Sequence, residues 1–72
     1  MRYLDPVATG KNIREIMNAK HIKVVDIQEA CGFGTPQSIY KWFKGINMPA
    51  LDNMIIVAEL LGCTVDELIV RY

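Results

Sequence analysis

Signals that start and stop helices recur so often along this chain that no helix between them can exceed about four turns. Asp5-Pro6, Thr35-Pro36 and Pro49 each open a run, Gly45 and Gly62 each close one, and Gly32-Phe33-Gly34 interrupts the middle. Within the runs, apolar residues recur at helical spacing. No window alternates with period two for long enough to make a strand. The expected fold is all-α, built of five short helices. In 72 residues those helices can share only one core, so 1–72 is read as a single domain.

Asp5 reads as the N-cap of helix 1 and Pro6 as its first residue. Ile13, Ile16 and Met17 follow i, i+3, i+4, and the helix is expected to end near Lys20-His21, where a last-turn histidine would complement the helix dipole. Gly10 within that span leaves a start at Thr9 as an alternative. Helix 2 is expected from about Lys23 to Cys31, burying Val24, Ile27 and Cys31. The two glycines around Phe33 demand a turn. Thr35 is then the expected N-cap of helix 3, which runs to about Lys44 with Gly45 as its stop. Helix 4 is placed at Leu51 to Leu61, and the Thr64-to-Glu67 capping box opens a last helix through Ile69.

Eight basic and eight acidic side chains cancel over the whole chain. They do not cancel locally: residues 1–47 carry seven Lys/Arg against four acids, a net +3, and residues 48–72 carry −3. That polarity suits an anionic partner at the amino-terminal part. The longest apolar run, Met54 to Ala58, is far below the roughly 20 residues of a membrane span. Met1 to Pro6 has neither an apolar core nor a small-residue cleavage site, which argues against a signal peptide and for a cytoplasmic protein.

Cys31 and Cys63 lie 32 residues apart among apolar neighbours, and His21 is the one histidine, so neither a metal nor a cofactor is expected. One disulfide stays open as an alternative to two small buried thiols. No nucleophile has a base and an orienting partner, and no glycine loop has a nucleotide fingerprint. An enzyme is not expected.

The polar face of helix 3 is the feature with chemical content. Ile39, Trp42 and Phe43 share one side, while Gln37, Ser38 and Lys41 occupy the other, with Gln37 and Lys41 one turn apart. Glutamine can bond adenine bidentately, lysine can reach guanine, and serine suits either. A glycine turn joins helices 2 and 3, so the second can cross the first steeply and project from the body.

These residues carry a family resemblance. Ile13-Arg14-Glu15-Ile16, Thr35 to Trp42, Val57 to Gly62 and Val65-Asp66-Glu67-Leu68 stand in the order and spacing of the lambda-repressor-like, XRE-type helix-turn-helix family, which the chain resembles from about Asn12 to Val70. The resemblance implies a five-helix DNA-binding domain with its helix-turn-helix at helices 2 and 3, the third helix entering the major groove. By position, the base-reading residues are Gln37, Ser38 and Lys41. Lys23, Thr35, Tyr40, Lys44 and the loop residue Asn47 match places for phosphate contacts, which position a domain without specifying sequence.

The chain also departs from the family. Its turn is one residue longer at Phe33-Gly34, Val24 stands where glutamine is common, and Gln28 replaces a small residue inside helix 2. Relatives often pair an arginine on helix 1 with a glutamate on helix 3. The corresponding residues here are Met17 and Phe43, which implies an apolar contact between those helices.

The function expected from all this is a sequence-specific regulator of transcription that binds double-stranded DNA, a small repressor occupying its operator as a dimer. The alternative is a protein-interaction module, such as an antitoxin component, with a vestigial DNA face. Helix 4 has more apolar surface than one core needs. Leu51, Met54, Val57, Ala58 and Leu61 are expected to point inward, while Ile56, Leu60, Ile69, Val70 and Tyr72 are surplus and suit a homodimer through the carboxyl-terminal helices.

Overall fold

The Asp5 carboxylate accepts the Ala8 amide at 3.1 Å, and Pro6 fills a position that needs no donor, so α1 begins there and spans Pro6–Ala19. The computed structural model describes residues 3–72; Met1 and Arg2, included above in the amino-terminal reading and the charge count, lie outside the described residues. The start at Pro6 removes the alternative at Thr9. At the other end Lys20 is the C-cap, and His21 lies beyond the helix in the left-handed region with φ 58°. The expectation of a last-turn histidine is therefore corrected. The chain leaves the helix one residue early so that the Ile22 amide can reach the Met17 carbonyl at 2.9 Å.

The second helix, α2, spans Val24–Cys31, with Lys23 as its N-cap and its amide donated to the Asp26 carboxylate at 2.8 Å. Gly32 closes it in the left-handed conformation, and the Phe33 amide returns to the Gln28 carbonyl at 3.0 Å. The extra turn residue thus has an anchor: the Phe33 ring meets Trp42 edge-on, with centroids 5.8 Å apart. The third helix, α3, spans Gln37–Lys44, and its N-cap is Pro36 rather than Thr35. Pro36 itself turns to φ −85°, ψ 3°, so its carbonyl takes the Ile39 and Tyr40 amides and leaves Thr35 one residue outside.

The fourth helix, α4, spans Leu51–Leu61 and stops at Gly62, with the Lys20 ammonium donating to the Leu61 carbonyl. The Thr64–Glu67 capping box forms as expected and starts α5, Val65–Leu68. All five helices feed one core: Ile13 and Met17, Ile27, Ile39 and Trp42, Met54, Val57, Ala58 and Leu61, and Leu68. Val24, Cys31 and Phe43 pack half-buried against it. Leu51 is not in the inward stripe; it is 72% exposed. It is the first residue of α4, and helical side chains lean toward the N-terminus, which carries this one past the edge of the core.

Residues near the two ends meet. Leu4 and Arg71 form an isolated antiparallel bridge, flanked by Asp5 N–H to the Val70 carbonyl at 2.8 Å and Tyr72 N–H to the Tyr3 carbonyl at 2.9 Å. Fully buried Thr9 ties this ribbon to α1, accepting the Val70 amide at 2.9 Å. The Asn12 amide donates to the Glu67 and Leu68 carbonyls, which closes the end of α5.

Candidate nucleic-acid interface

Burying Ile39 and Trp42 decides what α3 offers to solvent. At about 100° per residue, Ser38, Lys41, Gln37, Lys44 and Tyr40 follow one another round its free side, and all five are exposed. The helix is held through its second half. The Phe33 ring leans on Trp42, and Gly45, at φ 74°, ends the helix where a Cβ would strike the Val7 backbone. At Trp42 too, α1 approaches so closely that a Cβ on Gly10 would overlap the Trp42 carbonyl. An eight-residue helix fixed in this way can carry a set of side chains in a definite array.

The structure places the phosphate candidates around that array in different ways. Thr35 is exposed just ahead of α3, and its hydroxyl is not used as a cap. Asn47 joins Ser38 in a cleft of about 370 Å³, with Phe33, Trp42, Met48 and Asn53 among its walls. Tyr40 goes the other way and sets its ring against Phe43, with centroids 6.0 Å apart and planes at 83°. Lys44, one turn later than Tyr40, is exposed in the last turn of α3. Lys23 is on a separate element, at the N-cap of α2. Because Asp26 takes its amide, only its ammonium remains for an anion.

Charge is left uncompensated here. Among the described residues the ion pair joins Arg71 to Asp66, at 2.8 Å on the surface of the carboxyl-terminal part. Lys23, Lys41 and Lys44 have no such partner among those residues, and α3, with two lysines and no acid, carries net positive charge, whereas α2 carries Asp26 and Glu29.

The remaining chemistry lies elsewhere and is modest. Cys31 and Cys63 are free thiols; burial pushes Cys31 up, and burial with Glu67 pushes Cys63 up against the opposing Lys20 charge. Among the described residues, no three His, Cys, Asp or Glu side chains gather as a metal cluster, and no helix is long and apolar enough to cross a membrane.

Several residues that shape the interface carry no clear signal in sequence. Gly10 looks like a helix weakness and proves to be the point of contact with α3. Phe33 looks like an inserted turn residue and proves to be a brace. Asn53, a polar residue in the first turn of α4, lines the cleft beside Ser38. Phe43 packs against the core that contains Met17, and a second residue of α1, Arg14, one turn earlier, stands over its ring.

The helix-turn-helix family model matches residues 13–68, from the first buried residue of α1's core stripe to the last residue of α5. No curated protein and no solved structure is significantly similar to the chain.

Proposed function

We propose that this chain, which belongs to the XRE/lambda-repressor-like helix-turn-helix family of DNA-binding regulators, is a small repressor that reads a specific operator with α3 and acts by occupying it. The observation that carries this reading is the exposed arc of Gln37, Ser38 and Lys41 on a helix whose opposite side is locked into the core. In a major groove, Gln37 would take adenine through two hydrogen bonds, Lys41 would reach guanine, and Ser38 would bond either. Lys23, Thr35, Tyr40, Lys44 and Asn47 would hold the flanking phosphates and fix the register. A DNA partner of this kind implies action in the cytoplasm.

The operator is bound by two copies. Exposed Leu60 and Tyr72, with half-buried Ile56, Ile69 and Val70, offer apolar surface at the carboxyl-terminal end for a homodimer. A two-fold pair sets the two copies of α3 about 34 Å apart, one turn of DNA, on a near-palindromic site. Selection of bound duplexes from a random pool, followed by a salt titration, tests the whole reading. The expected result is one near-palindromic motif bound with an affinity that falls steeply with salt. Recovery of no motif, with no salt-dependent binding to any duplex, would leave a protein-interaction role in its place.

A further inference from the structure

Arg14 has no part in the interface assigned above, yet it is placed against it. It is an exposed residue of α1 whose guanidinium carbon stands 5.1 Å from the centroid of the Phe43 ring on α3. The same ring receives Tyr40 at its edge, with centroids 6.0 Å apart. One half-buried aromatic therefore supports two polar-tipped side chains, a cation on its face and a phenol beside it. The backbones beneath cannot slide: Gly10, one turn before Arg14, lies against the Trp42 carbonyl, and its virtual Cβ is 3.1 Å from the Phe43 Cα.

Arg14 has no carboxylate partner among the described residues. A guanidinium lying over a ring is partly desolvated on that side and keeps its N–H donors at the rim, arranged for two parallel bonds to an oxyanion. Its position round α3 matters as much. After Ser38, Lys41, Gln37, Lys44 and Tyr40, the next residue of the arc is Phe43, so Arg14 carries the arc across the seam onto α1. Lys11, exposed one turn earlier on α1, adds charge of the same sign.

We infer that Arg14 and Tyr40, both held by Phe43, form a clamp for one backbone phosphate of the DNA on the α1 side of the reading helix. Phe43 is a positioning residue in this clamp. The inference rests on the DNA-binding reading above and adds to it a contact from a helix outside the helix-turn-helix pair. A phosphate ligand follows from position: Arg14 stands on α1 over Phe43 and Tyr40 lies against the same ring, at the end of the arc away from Ser38, where N–H and O–H donors meet the backbone flanking the groove.

Arg14→Met tests it, because methionine keeps an apolar stem over Phe43 and removes only the charge; Arg14→Gln serves as the second variant if the first fails to fold. Binding of the full chain to its selected duplex and to a scrambled duplex is measured across a salt series, with thermal unfolding as the check on folding. The expected result is an equal fractional loss of affinity for both duplexes. The slope of log K against log salt should become shallower by about 0.9 per bound subunit. Unchanged affinity and slope would overturn the clamp and leave Arg14 as a cover for the ring, while wild-type binding would still uphold the DNA reading. A loss confined to the selected duplex would also overturn it, since Arg14 would then be reading a base. Salt-independent or absent binding by the wild type would defeat the DNA reading itself, and the clamp with it.

Discussion

Gly10 of α1 lies bare against the carbonyl of Trp42 on α3: a Cβ there would stand 1.8 Å from the oxygen. Backbone meets backbone at this point, and that contact sets how α3 leaves the body. Gly10→Ala isolates it. Helix propensity alone would favour alanine by about 1 kcal/mol, whereas forcing a methyl into a packed contact typically costs about 1–3 kcal/mol and occasionally more. At 1.8 Å the obstacle is a backbone oxygen that cannot rotate away, so the clash should win. Thermal unfolding should show Tm lowered by at least about 4 °C. An unchanged or raised Tm would mean the helices do not approach so closely.

Thr9 gives a second, independent prediction. Its hydroxyl accepts the Val70 amide and donates back to the Val70 carbonyl at 3.3 Å, in a site with no solvent exposure. Thr9→Val keeps the shape and removes both bonds. The carbonyl keeps a donor in Asp5 N–H, but the Val70 amide loses its acceptor. The loss should be about 1–3 kcal/mol. Amide exchange should be fastest to respond at Val70 and Tyr72, the residues of the terminal ribbon. Slow exchange at Val70 in the variant would contradict the tie.

What could be read in the sequence divides by range. Asp5-Pro6, Gly62 and the Thr64–Glu67 box act on their own neighbours, and the bounds of α1's start, α4 and α5's start follow from them. Thr35 and His21 carry equally familiar local signals, yet each stands just outside its helix, because the turn that follows or precedes it is drawn by the rest of the fold. Leu51 has the right spacing for the core and misses it because, as the first residue of α4, its side chain leans past the edge of the core. The Leu4–Arg71 bridge joins residues from opposite ends of the chain and leaves no periodicity to detect. The exposed face of α3 was legible for a simple reason. A helix that buries Ile39 and Trp42 must expose Gln37, Ser38 and Lys41. The neighbours that brace it, Gly10, Phe33 and Arg14, are set by contacts between helices and were not.

Dimer formation on DNA has its own test. Leu60 is 37% exposed on α4, outside the buried stripe, so Leu60→Glu should leave the fold intact by circular dichroism. A carboxylate in an apolar two-fold interface meets its own copy and is desolvated there. The variant should bind a full operator one copy at a time, with a 1:1 species seen by native mass measurement. Retention of a 2:1 complex at wild-type affinity would place the dimer contact elsewhere.

The most direct test concerns α3 as the reader of sequence. Bound duplexes are selected from one random pool with the wild type, Gln37→Ala and Lys44→Ala. Gln37→Ala should keep the overall motif but lose preference at one base pair in each half-site, where discrimination of about 1–3 kcal/mol depends on a bidentate contact. Lys44→Ala should recover the wild-type motif and bind every sequence more weakly. If Gln37→Ala selected the same sequence with the same affinity and stringency, α3 would not be the element that reads the operator.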